Sequence, residues 1–294
     1  MSVIRTLCSE IVDFAGVFPP AMLDLSMAVA RYAEYREGDD AWMLGRFVLP
    51  AAQLDDLADR LGGRPQASRG PWQLCVLLGT AIETDLANVM RFRERRDGLA
   101  CVETLEVKLD SANEIGRAAR LIDRPSTLFV EIPVGDEVAE LIAAIAKAGA
   151  RAKIRTGGVT PQAFPTAVDV ARFIRACVEH RCAFKATAGL HHLVRGQYAV
   201  SPEPGSVHAW MFGYLNVFLA AAFIRAGMPE TDAVAVLLET DLAAFWSDAT
   251  RIGWRNDCVS ESDLADMRSS LAISFGSCSF REPINELARI AAVE

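Results

Sequence analysis

Two apolar stretches of the sequence place an amine where the rest of the chain would use a guanidinium. AKIRTGG (Ala152 to Gly158) and AFKATAGLHH (Ala183 to His192) each read as a strand with a lysine in its middle, Lys153 and Lys185. The chain has only four lysines (Lys108, Lys147, Lys153 and Lys185) against 26 arginines, so positive charge is otherwise supplied by arginine. A guanidinium stays protonated at any accessible pH and cannot act as an amine nucleophile. Lysine inside a strand therefore points to amine chemistry. The competing reading is a pair of structural ammonium groups held by carboxylates.

The elements that must carry these lysines follow from periodicity. Short β-rich runs alternate with helical runs along the chain, the pattern of parallel βα units. The predicted strands are Glu10 to Gly16, Gly45 to Pro50, Gln73 to Gly79, Cys101 to Asp110, Thr127 to Pro133, Ala152 to Gly158, Ala183 to Gly189 and Ser274 to Phe280. Helices follow each of them, one predicted to start at Ala112 behind an Asp110-Ser111 cap. The stretch Gly62 to Gly70 reads as a polar loop. Eight strands and eight helices in alternation predict one (β/α)8 TIM barrel over residues 1–294, with a helical insertion at about 193–271 between strands seven and eight.

In such a barrel the active site lies at the carboxyl ends of the strands, and alternation decides which side chains point to the axis. With Leu105, Val107, Val130, Ile154 and Phe184 facing the helices, Asp13, Glu106, Lys108, Glu131, Lys153, Arg155, Lys185 and Thr187 turn inward. Three carboxylates and four cations thus converge, which is costly unless they are paired or functional. His191 and His192 follow strand seven directly. His208 is predicted to start a helix of the insertion, at the same end of the barrel. Pro202, Pro204 and His208 also predict that part of the insertion covers the barrel mouth.

Composition excludes other classes. A net charge of −8 without a basic cluster argues against a nucleic-acid partner. Seven cysteines without a CxxC pair suit reduced thiols in a cytoplasmic protein. The N-terminus lacks a signal-peptide core, and the apolar run His208 to Ala226 carries His208, Asn216 and Arg225, so no membrane partner is expected. Assembly into a homo-oligomer is left open.

These residues resemble the deoxyribose-phosphate aldolases and related class I aldolases. Lys153-Ile154-Arg155-Thr156-Gly157 is similar to the Lys-x-x-Thr-Gly motif of the family's sixth strand, and Lys185-Ala186-Thr187-Ala188-Gly189 to the Lys-Ala-x-x-Gly motif of its seventh. Gly276-Ser277-Cys278-Ser279 is a loose match to the phosphate-binding eighth strand, and Glu106 stands nearest to the acidic residue of the fourth. The resemblance implies that Lys153 forms the Schiff base and that Lys185 lowers its pKa; Glu106, with Glu131 or a histidine of the same face as second choice, would then move the proton. The substrate would be a small carbonyl compound with a phosphate or carboxylate, held by Arg155 and the Gly157 and Gly158 amides, with Ser277 nearby. No cofactor is implied.

Where the family has a glycine and a basic residue after strand seven, this chain has Leu190-His191-His192, and about eighty residues precede strand eight. Two alternatives therefore stand. Asp13 with His191 and His192 weakly resembles the divalent-metal-dependent lyases of the isopropylmalate synthase and hydroxymethylglutaryl-CoA lyase type. The other is a non-catalytic barrel whose lysines bind an anion.

Overall fold

The computed structural model describes residues 3–62, 70–95, 98–122 and 126–291, with side chains to residue 287. After helix α1 (Val3–Cys8) come strand β1 (Val12–Phe14) and helix α2 (Leu25–Glu37), then β2 (Leu44–Pro50) and α3 (Leu54–Leu61). The series continues with β3 (Trp72–Leu77), α4 (Ile82–Glu94), β4 (Ala100–Lys108), α5 (Ala112–Leu121), β5 (Thr127–Glu131), α6 (Val138–Lys147), β6 (Arg151–Arg155), α7 (Ala167–Glu179) and β7 (Phe184–Thr187). The insertion holds β8 (Gly196–Ala199), β9 (His208–Met211), α8 (Tyr214–Arg225), α9 (Glu230–Leu238), β10 (Phe245–Ser247), β11 (Arg251–Trp254), β12 (Asp257–Ser260) and α10 (Glu261–Ser270). The chain returns through β13 (Ala272–Ser277) to α11 (Arg281–Ala291).

Strands β1 to β7 and β13 close into an eight-stranded parallel barrel, in the order β1-β13-β7-β6-β5-β4-β3-β2, ringed by helices. This is the TIM barrel that the alternation predicts. Local chemistry sets the helix starts: Asp24 caps α2, Ser111 caps α5, and Thr166 with Asp169 forms a capping box on α7. Between barrel and helices lies a shell of buried Leu, Ile, Val and Phe, including Leu105, Val107, Val130, Ile154 and Phe184. Apolar side chains facing outward leave the axis to the polar residues of the opposite parity.

The insertion carries the expected helices α8, α9 and α10 and, beyond the expectation, five short strands. It contains the antiparallel hairpin β8–β9 and the three-stranded sheet β10–β11–β12. His208 lies in β9 with its side chain exposed, not at a helix start. These strands have only three or four residues, too few for alternation to register against the apolar helical runs around them. The eighth barrel strand runs from Ala272 rather than from Ser274, and Cys278 already lies in the loop beyond it. Residues 63–69 of the predicted polar loop lie outside the described residues. Among the described residues no helix is long and apolar enough to cross a membrane.

Candidate active site

The barrel axis holds a continuous chain of charges, buried from Asp13 to Glu131 and reaching the surface at Arg155. Glu106 on β4 is a bridge: its Oε2 accepts from Lys153 Nζ at 2.6 Å, and its Oε1 lies 2.6 Å from Lys185 Nζ. Lys153 also meets Glu131 Oε2 at 2.9 Å, and Glu131 Oε1 accepts from Arg155 Nε at 2.9 Å. On the other side Lys185 donates to Asp13 Oδ2 at 2.5 Å. Asp13 is held further by the Ser274 hydroxyl at 2.8 Å, the Arg46 backbone N–H at 2.8 Å and the Arg46 guanidinium at 3.8 Å. Gly45 makes room for this, because a Cβ there would lie 2.4 Å from Asp13 Oδ1. Strand register aligns the row: Glu131 stands opposite Lys153, and Lys153 opposite Lys185.

Asp13, Glu106, Glu131, Lys153 and Lys185 are each at most 5 % exposed, so their charges interact at low effective dielectric. Burial alone would raise the Glu106 carboxyl, but Lys153 and Lys185 outweigh it and hold the group well below the usual carboxylate range. Asp13 is lowered in the same way, burial being overcome by Lys185 and Arg46, and Glu131 by Lys153 and Arg155. Burial opposes the charge of both lysines, yet both pKa values rise, Lys153 through Glu106 and Glu131, Lys185 chiefly through Asp13. The expected depression of Lys153 by Lys185 is present but outweighed. A carboxylate stands between the two ammonium groups, and its attraction exceeds their repulsion. Four cations (Arg46, Lys153, Arg155, Lys185) face three carboxylates, leaving one net positive charge.

This floor opens into a cavity of about 600 Å³ lined by Glu106, Lys153, Arg155, Lys185 and Thr187. Arg155 is half exposed on its wall, and Gly158 lines it as well. Gly157 serves packing: a Cβ there would meet Phe164 at 2.5 Å and the Gly189 Cα at 3.0 Å, so the loops after β6 and β7 touch backbone to backbone. Thr156 is buried and ties the same loops by donating to Ala188 O at 2.5 Å. Hairpin β8–β9 and its connecting loop contribute Tyr198, Pro202 and Met211 to the cavity lining, so part of the insertion borders the cavity.

Two residues of the sequence reading, the inward Lys108 and His208 of the insertion, are not brought to the site. Lys108 ends β4 with an exposed side chain and does not line the cavity; parity gave its direction but not its height along the axis. His208 does not line it either. His191 and His192 do, and they diverge. His191 Nδ1 lies 2.7 Å from Glu282 Oε2 and 3.4 Å from the buried Ser277 hydroxyl, while its Nε2 lies 4.0 Å from Cys278 Sγ. Burial opposes charge on His191, but hydrogen bonds with Cys278 and Glu282 raise its pKa to about 10. His192 stacks on Tyr198 with centroids 3.4 Å apart and lies 3.5 Å from Glu286; burial lowers its pKa. With Asp13 engaged by Lys185, Ser274 and Arg46, the donors of the metal reading do not converge. No group of three or more His, Cys, Asp or Glu suited to a metal occurs among the described residues.

The sequence reading misses Arg46, Cys75, Ser274 and Glu282, and it names Cys278 only within the loose eighth-strand match. Cys75 places its thiol 2.9 Å from Glu106 Oε1, where burial and then Glu106 push its pKa well up and keep it a proton donor. Ser274 has the same parity as Gly276 on the eighth strand, a signal that was legible. Arg46 and Glu282 carry no local mark among so many charged residues. The chain matches no family in a scan against protein-family models, and searches of curated proteins and of solved structures found no match.

Proposed function

We propose that this TIM barrel is a Schiff-base-forming carbon–carbon lyase, like the class I aldolases, acting on a small carbonyl compound with one carboxylate or phosphate. The observation that carries the reading is a pair of buried lysines on one cavity floor, bridged by the two oxygens of a single carboxylate. The cavity suits a small ligand, and the net positive floor suits one anionic group, with Arg155 on the wall to receive it.

In the resting site Lys153 is an ammonium. Nucleophilic attack requires it to pass one proton to Glu106, across the 2.6 Å contact, as the ligand displaces water and its anion settles the excess charge. The amine adds to the carbonyl carbon, and the carbinolamine loses water to give an iminium. The adjacent C–C bond breaks with its electron pair moving to the iminium as an enamine, while a carboxylate takes the proton of the hydroxyl that becomes an aldehyde. Protonation of the enamine and hydrolysis of the iminium restore Lys153. Lys185, fixed by Asp13, stays charged and orients the carbonyl or hydroxyl oxygen.

The test is a panel of small aldehydes and keto acids treated with borohydride, read by intact mass and peptide mapping. A reduced adduct on Lys153, absent from Lys153→Arg, supports the reading; adducts on another lysine, or none across the panel, overturn it. The raised pKa values of both lysines favour one second reading, a barrel that binds an anion without covalent chemistry. A carboxylate or phosphate ligand that raises Tm yet leaves no trapped adduct selects that reading.

A further inference from the structure

The cavity holds a second reactive constellation that the lysine chemistry does not use. Cys278, His191 and Glu282 all line it, on the wall formed by the loops after β7 and β13 and the first turn of α11. Their order is that of a nucleophile, a base and an orienting carboxylate. Glu282 Oε2 holds His191 Nδ1 at 2.7 Å, Ser277 Oγ supports the same nitrogen at 3.4 Å, and Nε2 is left facing Cys278 Sγ at 4.0 Å. This spacing is looser than a formed hydrogen bond, as such contacts often are before substrate binds. The other thiol near the charged floor, Cys75, has the opposite environment, pressed against Glu106 and fully buried.

We propose that Cys278, His191 and Glu282 form an acyl-transfer centre in which the Cys278 sulfur attacks the acyl carbon of a small ester or thioester. His191 carries the thiol proton while the S–C bond forms. The tetrahedral adduct collapses, the bond from acyl carbon to the leaving oxygen or sulfur breaks, and His191 delivers the proton to that departing atom. Water then adds to the acyl-cysteine with His191 as base, the S–C bond breaks, and the carboxylic acid leaves with the thiol restored. Glu282 is a positioning residue: it fixes the ring so that Nε2, not Nδ1, meets the sulfur. The raised pKa of His191 agrees with an imidazolium held between Glu282 and Cys278. The other titratable group beside it is His192, which Glu286 engages.

The test uses the full chain with two probes, p-nitrophenyl acetate and the acetyl thioester of N-acetylcysteamine, followed by intact mass and peptide mapping. The expected result is one acetyl group on Cys278 with either probe, removed by hydroxylamine and slowed roughly 10²-fold in His191→Asn. Cys258→Ser, which removes an exposed cysteine of β12 that does not line the cavity, leaves the acylation rate unchanged. In Glu282→Gln the alkaline limb of the pH–rate profile moves to lower pH, which a merely structural role would not produce. Acetylation confined to lysines or Cys258, or Cys278 labelling at the same rate in wild type and His191→Asn, overturns the proposal. Mapping on the unmodified chain keeps the test decisive even if a variant fails to fold.

Discussion

Replacing Glu106 with Gln keeps the side-chain volume and removes the charge that bridges the two lysines. Breaking a buried ion pair by neutralising one partner costs about 3–5 kcal/mol. Here neither ammonium is orphaned, since Lys153 keeps Glu131 at 2.9 Å and Lys185 keeps Asp13 at 2.5 Å. The low end of the range therefore applies, about 3 kcal/mol, which for a chain of this size lowers Tm by roughly 6 °C. Urea unfolding of both proteins, followed by circular dichroism, measures the difference directly. Because the folded Glu106 pKa lies below its usual 4.5, its stabilisation is present above that value and is lost as pH falls through the depressed pKa. The gap between wild type and Glu106→Gln should thus stay constant between about pH 6 and 8 and close only in acid. A destabilisation under about 1 kcal/mol, or a gap that narrows between those neutral pH values, would refute the ionised bridge.

Three further outcomes are expected. Ser274→Ala removes a buried hydroxyl donor from Asp13 and should cost about 1–3 kcal/mol in urea unfolding. Gly45→Ala sets a Cβ 2.4 Å from Asp13 Oδ1, so it should destabilise by about 1–3 kcal/mol, and Ser274→Ala should cost less in that background than in wild type, because Asp13 has already moved. His191, facing Glu282, Cys278 and His192, has a pKa raised to about 10, so its ring should still titrate as an imidazolium at about pH 8 by NMR. The stability it adds over His191→Gln is full below the usual 6.5 and disappears as pH rises through about 10.

Much of the site was legible before any coordinates, and for a local reason. Side chains alternate along a strand with a period of two, so placing Leu105, Val107, Val130, Ile154 and Phe184 against the helices sends Glu106, Glu131, Lys153 and Lys185 to the axis. The βα alternation likewise sets a parallel sheet with helices covering it, and eight such units without a phosphate-type glycine fingerprint after the first strand point to the closed barrel rather than an open doubly wound sheet. What periodicity cannot supply is height and partnership. The stagger of neighbouring strands decides that Glu106 spans both lysines, that Arg46 rather than Lys108 joins the charged row, through Asp13, and that the lysine pKa values rise where mutual repulsion alone would lower them. The short strands of the insertion become strands only by pairing with each other, so their sequences carry little of the signal. Cys278, His191 and Glu282 meet because closure of the barrel brings the loop after β7 beside the loop after β13 and the start of α11. Local sequence set the direction of each charged side chain; the closed sheet, which sums the register of all eight strands, decided which of them touch.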